Sequence, residues 1–441
     1  MLTFAFLIFL SRHAVAEDTL SAQLDAARPA ETAPSLGDLS GGVGAYRALG
    51  VHSSPAAAAA FARWEAAVHQ AGGARALPDP RIGLGVFVRS VETRVGPQQA
   101  RLSVQQALPW PAEWRGRVGA ASAEAQARAA DFEAVVRALH DRIETSYWQL
   151  WEQRATRAVH EDHLAVLSGL SEVVRVRLEV GGATLADLQQ VDLSAARLED
   201  RIASLRTLER RAEAELRAAI GLTGSAPLPT AQPPPQPSLP AQPLAALLSL
   251  AAEHPATRAA GFRADAATAT VQATQAQRLP GLSLSADWIL VGDAAQPGVE
   301  DSGRDAAAVG VGLSIPVWQR AYAAKVDAAK AQAQAAAATR EGAIVERTAS
   351  ITRWHEDVGD SARRAKITAG TLLPQAEGAY ASLLGSYTTG DGSVAQVLLA
   401  QRDLLELRVA LAQSLALHAR AWAGLEAQCG PIQRQSTEGT P

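Results

Sequence analysis

Residues 77–114 read LPDPRIGLGVFVRSVETRVGPQQARLSVQQALPWPAEW, and this stretch decides the fold. In two places within it, apolar residues alternate with small or polar ones, which is the period of a β-strand with one apolar face. Pro109 ends the second segment because proline has no N–H to donate to a neighbouring strand. The pattern therefore predicts a β-hairpin over residues 81–108, followed by a helix. The apolar positions on its shared face are Ile82, Leu84, Val86, Val88, Leu102 and Val104.

The same pattern returns at residues 282–315, which predicts a second hairpin that ends at Ile315-Pro316. Each alternating segment runs for about 8 to 10 residues, close to the length of a tilted membrane-spanning strand. A soluble sheet with one apolar face has the same signature, so both interpretations stay open at this point. Two hairpins leave unpaired edge strands, and a membrane-spanning sheet would therefore need strands from several chains.

The two hairpins belong to an internal duplication. In each half, a helical stretch leads to a Leu-Pro pair, then to the hairpin, a long helix, a glycine break and a second helix. The glycine breaks, Gly181 and Gly390, lie 209 residues apart, and matching residues continue at that spacing to Gly221 and Gly430. Chance similarity between two alanine-rich helices does not account for the matched order of all the breaks.

The helical stretches carry apolar residues at steps of three and four, the seam of helices that pack lengthwise. The stretch from Pro111 to Leu178 would be about 100 Å long as a single helix. The helices after the glycine breaks are about half as long. We therefore expect one long helix in each repeat beside two shorter helices stacked end to end, which together would form an even-walled column.

These boundaries divide the chain into predicted segments. They are a signal peptide at 1–16, an N-terminal segment at 17–54, a first repeat at 55–222, a proline-rich linker at 223–245, a second repeat at 246–430 and a flexible tail at 431–441. The first repeat has a helix, the hairpin 81–108, the long helix 111–178, a tip turn 179–183 and the helix 184–221. The second has a helix 255–278, the hairpin 282–315, the long helix 318–386, a tip turn 387–392 and the helix 393–428.

The composition excludes several classes of protein. The 441-residue chain is 48% apolar with a net charge of −4, which argues against disorder and against nucleic acid as a partner. Only 5% of the residues are aromatic, and the abundant alanine favours closely packed helices over a thick core. A single cysteine, Cys429, excludes a disulfide scaffold and a cysteine-rich metal site.

The first residues are typical of an export signal. Residues 2–10 read LTFAFLIFL and precede Ala14-Val15-Ala16, a small-x-small pattern, which predicts cleavage after Ala16. No later stretch is apolar over the ~18 residues that a membrane-spanning helix needs. We therefore expect an exported protein.

The sequence shows no nucleophile–base–acid set and no phosphate-binding glycine loop, so we predict no enzymatic activity and no cofactor. His160 and His163 cluster on one helical turn with Glu161 and Asp162. A metal site normally draws its ligands from more than one element. We therefore predict a solvated helix face here, and no metal site.

The ordered set of features resembles the TolC-like outer membrane factors, the outer membrane efflux proteins that serve tripartite pumps and type I secretion systems. Three features support this resemblance. They are the duplication, the hairpin–proline–long-helix order and the tip motif Tyr387-x-x-Gly390-x-x-Ser393, followed by Val397-Leu398. The first-repeat version is Leu178-x-x-Gly181-x-x-Thr184, followed by Asp187-Leu188. Leu77-Pro78-Asp79-Pro80 is most similar to the heavy-metal (CzcC-like) branch that serves RND-type pumps.

The resemblance implies a mainly α fold with β-strands. Long coiled-coil-like helical hairpins would form a periplasmic helical barrel, and four transmembrane strands per chain would enter the β-barrel of a homotrimer in the Gram-negative outer membrane. The implied function is passive, gated export of substrates such as metal ions or drugs. The implied partners are outer membrane lipid, a periplasmic adaptor (membrane fusion protein) and an inner-membrane RND-type pump or ABC transporter.

The resemblance also places the glycine breaks at the periplasmic tip, where the channel narrows. Asp187 falls where the family often carries a ring of aspartates, which would attract cations; an ordinary solvated helix carboxylate is the alternative. Gly392 stands where some members carry an arginine, so we expect no arginine–carboxylate lock of the usual kind. The predicted tip and gating residues are Leu178, Gly181, Thr184, Asp187, Tyr387, Gly390, Ser393 and Gln396.

Three tryptophans follow the hairpins: Trp110, Trp114 and Trp318. Tryptophan at the end of a membrane strand suits the lipid–water interface, although packing between strand and helix would explain it equally well.

Two other functions stay open alongside an efflux duct. One is a type I protein secretion channel, and the other is a pore-less periplasmic coiled-coil adaptor. The duplicated hairpins argue against the adaptor, and no residues support a secreted enzyme.

Overall fold

The computed structural model describes residues 19–28, 42–224, 228–229 and 232–435. The predicted signal peptide at 1–16 lies outside these residues. Helices dominate the described chain, and its strands form one antiparallel sheet, so the prediction of a mainly α fold with β-strands is confirmed. None of the described helices combines the length and the hydrophobicity that crossing a membrane would require.

The elements follow the same order in both repeats. In the first half they are α1 (Val43–Ser53), α2 (Pro55–Gly73), β1 (Arg81–Val86), β2 (Glu92–Thr93), β3 (Gly96–Leu108), α3 (Pro111–Glu179) and α4 (Leu185–Ala219). In the second half they are α5 (Leu244–Ser249), α6 (Pro255–Ala276), β4 (Gly281–Val291), β5 (Ala306–Ser314), α7 (Gln319–Ile367), a π-helical turn (Thr368–Leu372), α8 (Leu373–Thr389) and α9 (Val394–Cys429). A short helix at residues 19–26 precedes them.

The second long helix differs from the continuous helix predicted over 318–386. A π-helical turn separates α7 from α8, and Pro374 follows directly in the first turn of α8. Proline lacks an N–H and its ring clashes with the carbonyl four residues back, so a wider turn lets the helix continue past it. The helix then continues to Thr389, three residues beyond the predicted end.

The chain divides into two compact units. The first contains the sheet, and its described residues lie within 19–28, 61–130 and 258–342. The second contains the hydrophobic clusters described below, and its described residues lie within 42–60, 131–257 and 343–435.

The sheet of the first unit joins the two repeats. Its strand order is β1-β3-β4-β5, all antiparallel, with the two-residue β2 beside β3. The register pairs Leu84 with Leu102, Leu102 with Trp288, and Leu284 with Val311. Because neighbours in register point to the same side, most of the apolar residues of the four long strands share one face.

Hydrophobic clusters of described residues stabilise the second unit, and three of them bear on the packing of its helices. One joins α1, α3 and α4, where the rings of Tyr46 and Tyr147 meet edge to face at 5.2 Å. Another surrounds the tips of the helical hairpins and contains Val174, Val191 and Tyr387. A third packs α7 against α9, and there a Cβ placed on Gly424 would lie 2.5 Å from the Trp354 ring. Glycine is therefore required for this close approach.

The described part of the proline-rich linker is bound to the second unit. The backbone N–H groups of Gln232 and Ser238 donate to the Tyr147 hydroxyl and to His418 Nε2, at 2.8 and 3.2 Å. Residues 239–241 also pair with residues 433–435 in a short antiparallel bridge. This pairing differs from the prediction of a flexible tail over 431–441, of which residues 436–441 lie outside the described chain.

Candidate functional site

The apolar face of the sheet is open to solvent along all four long strands. Ile82 is 73% exposed and Val311 70%, although neither lies at a chain end. Soluble proteins rarely leave a continuous apolar surface uncovered, so such a face marks contact with a membrane or with another chain. The exposed members are Ile82, Leu84, Val86, Leu102, Val104, Leu284, Trp288, Leu290, Val309, Val311 and Leu313.

The opposite face of the sheet carries polar and small residues that bind one another. Arg101 Nη2 lies 2.9 Å from Asp287 Oδ1, and Gln105 Nε2 donates to Ser283 Oγ at 3.1 Å. Exposed ion pairs of this kind contribute at most about 1 kcal/mol, so the pair orders the side chains without adding much stability. The two faces of the sheet are therefore suited to two different environments.

The three tryptophans lie in different surroundings. The half-buried Trp110 and Trp114 donate their indole N–H groups to the carbonyls of Pro280 and Arg75, at 2.8 and 2.9 Å. Packing within the first unit thus accounts for both. Trp318 is 77% exposed, so its indole ring is free to lie at a lipid–water interface. The interfacial role of the three side chains stays a prediction.

The two hairpin tips share one backbone turn. Gly181 and Gly390 adopt φ values of 76° and 103°, a conformation that glycine reaches without steric cost. Beyond them, Gly182 N donates to Arg177 O at 2.7 Å, and Asp391 N donates to Ser386 O at 3.0 Å. These bonds occupy carbonyls that would otherwise be unpaired at each helix end. The predicted glycine breaks thus form matching turns.

Asp187 closes a capping box at the start of α4. Its Oδ2 accepts from the Thr184 N–H at 2.9 Å, while the Thr184 hydroxyl oxygen accepts from the Asp187 N–H at 3.2 Å. The pattern Thr-x-x-Asp is a known helix-start signal, so the sequence contained this role although our prediction missed it. In the second repeat, the Ser393 hydroxyl accepts from Ala395 N at 3.2 Å, and Gln396 is exposed.

Arg177 is the tip residue that the sequence reasoning missed. Its guanidinium donates to the carbonyl oxygen of Tyr387 and lies over the Tyr387 ring, 4.6 Å from the centroid. Tyr387 is only 3% exposed, and within the described chain its hydroxyl has no hydrogen-bond partner. The contact joins the end of α3 to the end of α8. Arg177 immediately precedes the half-buried Leu178. Leu178 is the counterpart of Tyr387 in the other repeat, so a comparison of the two repeats would have drawn attention to Arg177.

The prediction of a solvated helix face at His160 and His163 is wrong for both histidines. Each is 7% exposed. His160 Nδ1 lies 2.8 Å from the Thr156 carbonyl, and His163 Nδ1 lies 3.5 Å from Gln401 Nε2 on α9. Their spacing of three residues places both on the packed side of α3. Burial lowers the pKa of His163 to about 4, so this side chain is neutral near pH 7.

No group of three or more His, Cys, Asp or Glu side chains in the described chain could hold a metal ion. Cys429, at the end of α9, is a free thiol whose pKa burial raises to about 11. A thiol with that pKa is protonated at neutral pH and is a poor nucleophile.

The duplicated helical hairpins, the two-faced sheet and the glycine-turned tips define the class of outer membrane efflux channels. The chain belongs to the outer membrane efflux protein family, whose sequence profile matches residues 51–222 and 247–430. These two stretches coincide closely with the two predicted repeats.

Similar proteins are known from several bacteria. The outer membrane efflux protein BepC of Brucella suis biovar 1 (strain 1330) is 26% identical over 273 residues, which is 61% of this chain and 58% of BepC. The outer membrane protein VceC of Vibrio cholerae is 23% identical, with a TM-score of 0.72 over 88% of this chain and 96% of VceC. The open-state MtrE outer membrane channel of Neisseria gonorrhoeae is 16% identical, with a TM-score of 0.69 over 88% of each chain.

The two solved structures share the fold of this chain at low sequence identity. The family and the match to BepC assign the chain to the outer membrane of Gram-negative bacteria. The stretch that matches BepC spans less than two thirds of that protein.

Proposed function

We propose that this chain is the exit duct of a tripartite efflux system, a passive and gated conduit through the outer membrane. An inner-membrane RND-type pump supplies the energy, and a periplasmic adaptor (membrane fusion protein) connects the pump to the duct. The observation that carries this proposal is the exposed apolar face of the sheet in a chain of this family. Outer membrane lipid would cover that face, while the polar face lines the passage.

The sheet supports a homotrimer. In the described chain, β1 and β5 each have one long-strand neighbour and so present unpaired backbone groups. Because four antiparallel strands alternate in direction, β1 and β5 run in opposite senses, and β1 of one copy can pair antiparallel with β5 of the next. Three copies would then close one sheet around the passage, with Trp318 at the lipid interface.

The tip supports a gate. We propose that Arg177 holds the end of α8 against the end of α3 through its contacts with Tyr387, so that the passage stays narrow until this contact breaks. The turn and cap residues Gly181, Thr184, Gly390 and Ser393 fix the backbone around the contact. Three Asp187 carboxylates near the passage would favour cations, and metal ions are therefore the proposed substrates, with drugs as the alternative.

Conductance in planar bilayers tests the channel and its gate together. Detergent extraction of outer membranes should yield a heat-labile trimer that forms pores, and Arg177→Ala should raise the conductance of each pore. Arg175→Ala is the matched control, because Arg175 pairs with Glu172 on the same exposed stretch of α3. Recovery as a soluble periplasmic monomer would refute the channel, whereas equal currents for both variants would refute the gate.

The neighbouring genes separate efflux from secretion. Genes for an RND-type pump and an adaptor support the efflux duct. A gene for an ABC transporter would instead indicate a type I secretion channel.

A further inference from the structure

The polar face of the sheet carries few long side chains. Every second residue of a strand points to this face, and most of these residues are glycine, alanine or serine. A long side chain on this face therefore projects above its neighbours. On the edge strand β5 all of the polar-face residues are small, and they are Ala306, Ala308, Gly310, Gly312 and Ser314.

The serines of this face lie across glycines of the neighbouring strands. The Ser103 hydroxyl donates to the Gly83 carbonyl at 3.3 Å, and the Ser285 hydroxyl donates to the Gly310 carbonyl at 3.4 Å. A Cβ placed on Gly83 would lie only 2.7 Å from Ser103 Oγ. These hydroxyl protons are thus used within the sheet, and the serines add no charge to its surface.

Charged residues occupy three positions in the four long strands: Arg81 on β1, Arg101 on β3 and Asp287 on β4. The register places all three on the polar face. Arg101 contacts Asp287 with two nitrogens, since its Nε and Nη2 lie 3.0 and 2.9 Å from Asp287 Oδ1. The Asp287 side chain is only 14% exposed, so this pair presents almost no net charge to its surroundings.

Arg81 retains its positive charge. It is exposed, and within the described chain it has no ion pair. Its register partner is Gln105, and side chains opposite each other on antiparallel strands have Cβ atoms about 5 Å apart. Gln105 Nε2 donates to Ser283 Oγ at 3.1 Å and retains a second N–H. The two side chains together therefore offer a positive charge and hydrogen-bond donors to an anion.

We infer that Arg81 and Gln105 form an anion-binding subsite on the wall of the passage, and that Arg81 sets the charge preference of the sheet. The inference rests on the proposed function, because the polar face lines a passage only when three copies close the sheet. Three Arg81 side chains would then form a positive ring, which attracts anions and repels cations. The occupant is chloride or a small oxyanion, and a free metal cation would not be retained at this wall.

Reversal potentials in planar bilayers test the charge preference. In KCl near 0.1 M, where a charge acts over about 10 Å, Arg81→Glu should lower the chloride-to-potassium permeability ratio by about twofold or more. Arg81→Lys keeps the charge and should keep the ratio. Arg101→Ala should lower the ratio because it uncovers Asp287, whereas Asp287→Asn should raise it. An unchanged ratio in Arg81→Glu pores would overturn the inference.

Chemical labelling changes the charge at one position within an assembled pore. Arg81→Cys pores treated with a negatively charged thiosulfonate reagent should favour potassium, and those treated with a positively charged reagent of equal length should regain the natural ratio. The natural chain is the control, because burial keeps its single thiol, Cys429, protonated.

The outcomes separate this inference from the channel itself. Pores whose permeability ratio ignores the charge at position 81 would overturn the inference while the channel stands. A natural chain that forms no pores would refute the channel and the inference together.

Discussion

The carboxylate of Asp187 accepts from both the N–H and the hydroxyl of Thr184, at 2.9 and 2.8 Å. Its role as a cap and any role in a ring of charge are compatible, because a capped carboxylate is held in one place. Arg177 shows the limit of sequence reasoning at this scale. The sequence shows which residue types lie at a tip. Which of these residues contact one another depends on how the ends of α3 and α8 pack.

Asp187→Ala should destabilise the first hairpin tip by about 0.5–2 kcal/mol, because α4 loses its capping box. Thr184→Ala should cost a similar amount, and the double variant should cost less than the sum because both act on one cap. Hydrogen exchange of the first amides of α4 measures the effect. Gln396→Ala, the counterpart in the second repeat, is the control and should leave exchange in α9 unchanged; an equal loss there would contradict the capping role.

Glu144 should make the stability of the second unit depend on pH. Its carboxylate contacts Arg47, and Glu426 and Asp141 are close by. Burial raises the pKa of Glu144 to about 7, outweighing the opposing effect of Arg47. The fold therefore favours the protonated form, and this contribution is complete below the unfolded pKa of about 4.3 and is lost as the pH rises towards 7.

Glu144→Gln mimics the protonated carboxyl and should raise the free energy of unfolding at pH 8 by up to about 3 kcal/mol. At pH 4 the variant and the natural chain should unfold alike. Urea unfolding at the two pH values measures the difference, and destabilisation by the variant at pH 8 would show that the ion pair with Arg47 dominates.

For the helices and strands, the spacing of apolar residues along the sequence predicted most of the elements. The strands of the hairpins and the boundary at Pro111 follow from alternation and from proline chemistry, which act locally. The interruption at Thr368–Leu372 and the burial of His160 and His163 did not follow, because they depend on which helix packs alongside. Alanine and glycine let these helices approach closely. A side chain that is too large for its position therefore destabilises the fold where two helices touch.

Gly424→Ala should destabilise the second unit by about 1–3 kcal/mol, because the added methyl would overlap the Trp354 ring. Gly359→Ala on α7 is the matched variant, since a Cβ there meets nothing within 4 Å. It should be neutral or stabilise by up to about 1 kcal/mol through helix propensity. Urea denaturation of both variants decides the point, and equal effects would mean that α7 and α9 are less closely packed than described.

At the scale of the whole molecule, the duplication gives each chain four long strands, and the two repeats meet in one sheet through β3 and β4. The sequence predicted the two hairpins, but it could not decide between a membrane sheet and a soluble one, because both alternate with the same period. The exposure of Ile82, Trp288 and Val311 in the folded chain favours the membrane sheet that we propose.

Val311→Arg should block assembly in the outer membrane, because a charge on the lipid face costs about 2–4 kcal/mol near the middle of the bilayer. Ser283→Arg lies on the opposite face of the neighbouring strand and should assemble, although it should alter the conductance. The yield of heat-labile trimer in outer membrane fractions compares the two variants. Normal assembly of Val311→Arg would place the apolar face against protein instead of lipid.

The bound linker bears on how well the chain resists proteolysis. An exposed connector without hydrogen-bond partners is a preferred site of proteolytic cleavage. Here the N–H groups of Gln232, Ser238 and Ala241 are tied to the Tyr147 hydroxyl, His418 and the Gln433 carbonyl. A protease must bind its substrate as a free extended strand, and this stretch is already engaged. Residues 232–241 of the connector look vulnerable in the sequence, but these contacts should protect them from digestion.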